Sequence, residues 1–167
     1  MKLIKKATQG EVFSHWEAVE KINILQRFDI VFPIVAYNDL VWNLVEIEDS
    51  DIDEIYICSS DDWLAEGLCV PDFKLTTAIE NYKKSEYSKG KYADIKAKED
   101  IFVKNINGLD TKFILVGDNS SGPFTLIEGC KRSVALGNLG KLVGIKIYIG
   151  ISPSIKTYIW TRHMYGR

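Results

Sequence analysis

The chain has 167 residues, of which 46% are hydrophobic and 26% are charged, and this is the size and mixture of a single folded domain. The composition excludes an intrinsically disordered segment and a collagen-like chain. No apolar run approaches the roughly 18 residues that span a bilayer, and the start of the chain has no apolar signal-peptide core. We therefore predict a cytoplasmic protein with no membrane partner.

Acidic and basic residues are segregated along the chain. All 23 acidic residues lie at or before Glu128, whereas residues 131–167 contain seven of the 21 basic residues and no acidic one. Behind the net charge of -2, residues 1–130 carry -9 and the last 37 residues carry +7. A basic segment in a mildly acidic protein indicates a local anion site more than a general nucleic-acid surface.

Cysteine and histidine are sparse. The three cysteines are too few and too scattered for a disulfide framework, and no two form a CxxC pair, which fits a reducing compartment. His15 and His163 lie at opposite ends of the chain, so no zinc site is predicted.

The first half of the chain predicts one helix and two strands. Residues 11–25 have apolar side chains at three- and four-residue spacing, which predicts an amphipathic helix with Trp16 in the core. Residues 39–47 and 54–60 are rich in Val, Ile, Tyr and Trp and predict strands. The acidic segment 48–53 between them is either a hairpin or a crossing connection.

Residues 74–100 predict a solvent-exposed helix that is interrupted at Gly90. Tyr82, Tyr87 and Tyr92 are five residues apart in this segment, so they cannot share one helix face. Scattered partial burial of the three rings is favoured over a stacking platform.

The last third predicts a strand pair, a helix and a further strand. Two short apolar runs, residues 111–118 and 122–129, flank the turn sequence DNSSG and predict strands, and the helix that follows ends at Gly137 or Gly140. Residues 143–152 return to strand character, and the tail is a last strand or an ordered extension. We predict one α+β domain with a small mixed sheet flanked by helices, a helical extension over residues 1–27 and a C-terminal strand or extension over residues 153–167.

The segment FTLIEGCKRSVAL, residues 124–136, is the candidate site, because an apolar strand runs through Gly129 into a helix. The free N–H groups and the positive dipole end of that helix favour a phosphate. Lys131, Arg132 and Ser133 add charge and hydrogen-bond donors. Simple capping of the helix is the alternative, and the residue types do not decide between the two.

Glu128 lies in the same turn and has several possible roles. Its carboxylate could orient Arg132, bind a metal that accompanies a phosphate, or act as a base. It could also cap the helix N–H groups itself.

The block IEGCKRSVALGNLGKLVGIKIYIGIS, within the segment 113–152, resembles the ParB/sulfiredoxin-like superfamily, which includes the ParB N-terminal-like domain. Members share a strand, a Gly-centred turn with a basic pair, and a helix with small residues, and they bind nucleotide phosphates at this turn. The resemblance implies a ParB/sulfiredoxin-like core over residues 40–152. It matches Gly129 to the turn glycine, Arg132 to the phosphate-binding arginine and Glu128 to the acidic residue before the glycine.

Two positions depart from the ParB-like pattern. Lys131 stands where many relatives have histidine. The lysine keeps a positive charge at this position but cannot serve as the proton relay that a histidine provides. Cys130 is similar in position to the catalytic cysteine of the sulfiredoxin sequence G-C-H-R. A cysteine at a helix N-terminus beside two cations is also expected to have a lowered thiol pKa, which makes it a candidate nucleophile.

The leading hypothesis is binding of a nucleotide or phosphorylated small molecule at residues 128–133, with ATP, ADP or CTP and Mg²⁺ as candidate ligands. As an enzyme it would be a phosphotransferase, a nucleotidase or a nuclease-like phosphohydrolase, in which Lys131 and Arg132 stabilise charge. Asp51 or Asp53 could supply a further metal ligand, although a solvated loop is the commoner role of such a run.

The alternative is a non-enzymatic nucleotide- or nucleic-acid-binding regulatory or interaction protein of a mobile element or defence locus. Aromatic and basic residues alternate in the C-terminal segment, a composition compatible with stacking on single-stranded nucleic acid. The regular alternation of residues 144–152 favours a core strand instead. The aromatic residues concerned are Tyr148, Tyr158, Trp160 and Tyr165.

Overall fold

A computed structural model describes residues 1–23, 26, 39–85 and 89–161. Within these residues, six strands form one mixed sheet in the order β1-β2-β6-β4-β5-β3. Neighbours β4–β6 and β3–β5 are parallel, and the other three neighbouring pairs are antiparallel. The strands are β1 (Lys2–Lys6), β2 (Val41–Glu46), β3 (Ile55–Ile57), β4 (Ile114–Gly117), β5 (Phe124–Glu128) and β6 (Lys146–Ile151).

Helices cover both faces of the sheet. The described α-helices are α1 (Gln9–Glu20), α2 (Asp61–Ala65), α3 (Leu75–Lys83), α4 (Gly90–Lys104) and α5 (Cys130–Asn138), and 3₁₀ helices form at Asp49–Glu54 and Pro153–Thr157. One core cluster contains buried residues of α3, α4 and α5, and the other contains buried residues of α1 and of the segment after β6. Because β4 and β5 lie between the two clusters, their residues are buried on both faces.

The structure agrees with the predicted α+β class and with the strands predicted at residues 39–47, 54–60, 111–118, 122–129 and 143–152. The acidic connection 48–53 is a crossing connection, because β2 and β3 lie on opposite sides of the sheet centre. The predicted N-terminal helix is present as α1, and Trp16 is fully buried, but the helix ends at Glu20 because Lys21 is left-handed, so residues 21–23 are not helical as predicted. Positions 24 and 25 of that prediction lie outside the described residues.

The helical extension predicted over residues 1–27 is wrong at its start, where Lys2–Lys6 forms the edge strand β1. All five residues of β1 are exposed. Its sequence, KLIKK, therefore lacks the alternation of apolar and polar residues that indicates a half-buried strand. At the other end of the chain, the predicted extension is an ordered 3₁₀ helix and a short continuation as far as Thr161.

The interruption predicted at Gly90 is confirmed, since a new helix begins at that residue, but the predicted solvent exposure of residues 74–100 is wrong. Two helices, α3 and α4, occupy the segment, and both contribute side chains to the core. Tyr82 is fully buried and its ring stacks on that of Tyr92, with centroids 6.4 Å apart. The prediction of partial burial is therefore wrong for Tyr82, because Tyr82 and Tyr92 belong to two helices that pack against each other. Tyr87 lies outside the described residues.

The end of α5 is set by Gly140, which has a left-handed φ of 66°. Gly137 lies inside the helix, where a β-carbon would come within 2.2 Å of Ile79 Cδ1. The absence of a side chain at Gly137 therefore lets α5 approach α3 closely.

Candidate functional site

The strand–turn–helix unit predicted at residues 124–136 is present. Strand β5 ends at Glu128, Gly129 adopts a left-handed conformation with φ 93° and ψ 12°, and α5 begins at Cys130. A β-carbon at Gly129 would lie 2.5 Å from Cδ1 of the Phe113 ring. The turn needs glycine for both its backbone conformation and its contact with Phe113.

This turn opens onto a cavity of about 670 Å³, which we name the α5 cavity. Five of the six predicted site residues line it, namely Glu128, Gly129, Cys130, Lys131 and Arg132. Its other walls come from the segment after β3, from α4 and from the C-terminal segment. The carboxyl ends of the parallel strands β3 and β5 meet at one edge of the sheet, which is where open α/β sheets commonly bind ligands.

Ser133 is the predicted residue that does not face the cavity. It is fully buried, and its Oγ donates a hydrogen bond to the Cys130 carbonyl oxygen at 2.8 Å. Ser133 is buried on the core side of α5, so its hydroxyl cannot bind a ligand in the cavity.

Arg132 and Glu128 form a buried ion pair. Arg132 Nη2 lies 2.6 Å from Glu128 Oε1 and 2.5 Å from Oε2, and Nη1 donates to the carbonyl oxygen of Asp110. Of the roles considered for Glu128, the structure supports orientation of Arg132, because both carboxylate oxygens accept from that guanidinium. Burial raises the pKa of the Glu128 carboxyl above its ordinary value, and the Arg132 charge opposes this rise.

Arg132 also lies near Asp110 and, through it, near His15, two residues that the sequence analysis did not predict at this site. Asp110 Oδ1 lies 3.9 Å from Arg132 Nη1 and 3.7 Å from His15 Nε2, and that histidine nitrogen is 3.2 Å from the Lys112 carbonyl oxygen. Burial lowers the pKa of His15 below its ordinary value. The network links α1 to the β5–α5 turn, and no local motif could indicate it because its members are distant in sequence.

Four cationic and four acidic side chains line the α5 cavity: Lys91, Lys98, Lys131 and Arg132, and Glu20, Asp61, Asp62 and Glu128. Lys91 Nζ lies 2.5 Å from Asp62 Oδ2, Lys131 pairs with Asp94, and Arg132 pairs with Glu128. Within the described part of the chain, Lys98 has no ion pair. Burial and then the Lys131 charge lower the pKa of Lys98, the Asp94 charge opposes this change, and Arg132 lowers the pKa to a smaller extent.

The predicted lowering of the Cys130 thiol pKa is wrong. Hydrogen bonding with Cys58, together with burial, raises the pKa of Cys130 well above its ordinary value. The same hydrogen bond is the main cause that lowers the pKa of Cys58. Cys58 follows β3 and lines the cavity beside Cys130, so the neighbour that determines the thiol pKa values comes from a distant segment.

The acidic residues considered as metal ligands, Asp51, Asp53 and Glu128, do not lie together. Asp51 accepts a hydrogen bond from the Glu48 amide at 2.8 Å in the 3₁₀ helix, and neither Asp51 nor Asp53 lines the cavity with Glu128. Among residues 1–23, 39–85 and 89–161, no three His, Cys, Asp or Glu side chains are placed to hold a metal ion together.

The C-terminal aromatic residues divide between the core and the cavity. Tyr148 and Tyr158 are buried in the core cluster under α1, which confirms the core interpretation for these two residues. Trp160 is half-buried and lines the α5 cavity. Tyr165 lies outside the described residues. No helix of the described segments has the length and apolar character needed to cross a bilayer.

Comparisons with protein-family models, with curated protein sequences and with solved structures found no match to this chain.

Proposed function

We propose that the α5 cavity binds a nucleotide or another phosphorylated small molecule. The observation that carries this proposal is Lys98, a half-buried cation in the cavity wall whose charged neighbours include Lys131 and Arg132. The resemblance of residues 113–152 to the ParB/sulfiredoxin-like superfamily points to the same ligand class.

The electrostatics of Lys98 favour an anionic ligand. A partly desolvated ammonium beside other cations is less stable in its charged form than it would be in water, which is why the pKa of Lys98 is lowered. A bound phosphate would add negative charge to that of Asp94 and raise the pKa of Lys98. The N-terminus of α5, whose first turn contains no acidic residue, would add its positive dipole end.

The cavity walls favour a ligand larger than inorganic phosphate. Trp160 is half-buried there and offers an aromatic surface on which a nucleobase can pack. Mg²⁺ that accompanies ATP, ADP or CTP would be held by the phosphate oxygens, because Glu128 is engaged by Arg132. Phosphoryl transfer and phosphate-ester hydrolysis stay predictions, and binding is the function that the cavity supports best.

Replacing Lys98 with Met should weaken ligand binding without unfolding the protein. Met keeps the length and apolar stem of lysine and removes only the charge. We expect ATP, ADP or CTP to raise the melting temperature of the wild type, since a ligand that binds only the folded state stabilises by about 2.7 kcal/mol at a concentration of 100 Kd. Lys98→Met should weaken binding roughly tenfold, the effect of about 1.4 kcal/mol.

Lys104→Met is the matched control, because Lys104 is an exposed residue of the same helix that does not line the cavity. Melting curves with inorganic phosphate, the three nucleotides, phosphorylated metabolites and short single-stranded DNA would measure the selectivity. Equal losses in both variants, or no shift with any phosphate ligand, would refute the proposal. A shift with DNA alone would support the nucleic-acid-binding alternative.

A further inference from the structure

Asp62 is an exposed carboxylate in the wall of the α5 cavity. It belongs to α2, which follows β3 at the edge of the sheet where β3 and β5 both end. The Asp62 side chain is 63% exposed, so a ligand in the cavity can reach it. The proposed function gives this carboxylate no role, because a phosphate is repelled by it.

Two hydrogen bonds hold the Asp62 side chain in one orientation. Ser60 Oγ donates to Asp62 Oδ1 at 2.5 Å, and Lys91 Nζ donates to Asp62 Oδ2 at 2.5 Å. A carboxylate has about four acceptor positions, so Asp62 can accept further hydrogen bonds. Asp62 is therefore an oriented acceptor with capacity for a donor from a ligand.

Lys91 positions Asp62 and is itself largely buried. Its side chain is only 9% exposed, and its Nζ lies 5.5 Å from the centroid of the Trp63 ring and 4.0 Å from Glu66 Oε1. Because Lys91 already balances the charge of Asp62, a ligand ammonium would gain little from this carboxylate. The ligand group that suits Asp62 is a neutral donor, such as a hydroxyl.

The helix α4 sets the distance between this acceptor and the cation of the proposed phosphate site. Lys91 and Lys98 are seven residues apart on α4, which is about two turns and about 10 Å along the helix axis. This spacing places the two side chains on one face of α4, and both line the cavity. A ligand that contacts Lys98 and Asp62 together therefore has its phosphate and its neutral donors at different ends.

We propose that the α5 cavity binds a ribosyl phosphate, with the phosphate at Lys98 and the N-terminus of α5 and the 2′- and 3′-hydroxyls of the ribose at Asp62. This inference rests on the proposed function and narrows its ligand class to phosphorylated molecules that contain ribose. A nucleotide and a free ribose phosphate share this chemistry. Asp62 is the specificity-determining residue, and Lys91 is a positioning residue that acts through it.

Ribose suits Asp62 because its 2′- and 3′-hydroxyls are neutral donors on adjacent carbon atoms. Hydrogen bonds to a charged acceptor are roughly twice as strong as those between neutral groups. Removal of one hydroxyl should therefore weaken binding by about tenfold or more. A 2′-deoxyribosyl phosphate is the sharpest comparison, because it keeps the phosphate and the base and lacks only one donor.

The test is isothermal titration calorimetry of the wild type with ATP and CTP and with their 2′-deoxy and 3′-deoxy counterparts. Each deoxy compound should bind about tenfold or more weakly than its parent. Ribose 5-phosphate and 2-deoxyribose 5-phosphate distinguish the two sources of a ribosyl phosphate. Ribose 5-phosphate that binds as tightly as the nucleotides would identify a free sugar phosphate as the ligand, and much weaker binding would identify a nucleotide.

Replacing Asp62 with Asn should remove the preference for ribose. The ratio of the ATP and 2′-deoxy-ATP affinities should fall from about ten toward one, whereas a residue that only supports the fold would lower both affinities equally. Asp53→Asn is the matched control, because Asp53 is exposed and does not line the cavity. This control removes the same charge and should keep the wild-type ratio.

Equal affinities of the wild type for the ribose and deoxyribose compounds would overturn this inference and leave the proposed phosphate site standing. An unchanged ratio in Asp62→Asn would also overturn it, because another residue would then recognise the ribose. The absence of binding by every phosphate ligand would contradict the proposed function itself and this inference with it. The ligand comparison uses only the wild type, so it decides the question even if Asp62→Asn folds poorly.

Discussion

Replacing Arg132 with Met is expected to lower the free energy of unfolding by about 3–5 kcal/mol, the cost of removing one partner from a buried ion pair. The Arg132 and Glu128 side chains are only 6% and 7% exposed, and Nη2 contacts both carboxylate oxygens. Without the guanidinium, the Glu128 carboxylate and the Asp110 carbonyl oxygen each lose a donor in the interior. Chemical denaturation of the wild type and the variant would measure the loss.

The loss should depend on pH in a defined direction. Burial raises the folded-state pKa of Glu128, and Arg132 limits that rise, so the pKa increases further in the variant. A group with a raised folded-state pKa stabilises the fold below its unfolded pKa, about 4.3 for glutamate, and this contribution is lost as the pH rises through the folded-state pKa. The deficit of Arg132→Met is therefore smallest in acid and increases toward neutral pH.

The double variant Arg132→Met with Glu128→Gln is the control, because it removes both charges and leaves no buried carboxylate. It should be more stable than Arg132→Met alone at neutral pH, and its deficit relative to the wild type should vary less with pH. A deficit of Arg132→Met that is the same at every pH, or a double variant no more stable than the single one, would show that the ion pair is not the cause.

The helices and strands that could be predicted from the sequence are those marked by a pattern of neighbouring residues. Strands β4 and β5 are short apolar runs between turn residues, and α5 starts at the glycine where the strand ends, so their positions are readable without knowledge of the tertiary structure. Strand β1 has no such signal, because it is an exposed edge. The pairing of β3 with β5 is equally hidden, since it joins segments that are far apart in the chain.

The candidate site shows the same division. Residues 128–132 meet at one cavity because they are contiguous, whereas Lys98, Cys58 and Trp160 reach it from other elements. The chemistry of the cavity depends on these distant residues: Lys98 supplies the cation without an ion pair among the described residues, and Cys58 determines the thiol pKa of Cys130.

The acidic and basic residues that are separated along the sequence are brought together by the fold. Basic residues of the C-terminal segment pair with acidic residues that precede them: Lys131 with Asp94, Arg132 with Glu128, and Lys156 with Asp118 at 3.0 Å. Three of the five basic residues that the structure describes in this segment are therefore paired with acidic residues of the fold. The anion-binding proposal consequently rests on the position of Lys98 and not on the excess of basic residues at the C-terminus.

Replacing Gly129 with Ala should destabilise the protein by about 2–5 kcal/mol, because two costs add. An L-residue in the left-handed region costs about 1–2 kcal/mol, and a methyl group forced against a packed ring costs about 1–3 kcal/mol. The φ of Gly129 is 93°, and the added β-carbon would meet Phe113 Cδ1 at 2.5 Å. Thermal or urea unfolding would measure the effect.

Gly144→Ala separates these two costs. Gly144 has a φ of 82°, and a β-carbon there would meet no atom within 4 Å, so only the backbone cost of about 1–2 kcal/mol applies. In a double-mutant cycle, Phe113→Ala should offset part of the Gly129→Ala loss, since it removes the ring atoms in the way. Equal losses for Gly129→Ala and Gly144→Ala, or strict additivity with Phe113→Ala, would mean that the Phe113 ring moves aside freely and does not define the turn that opens the α5 cavity.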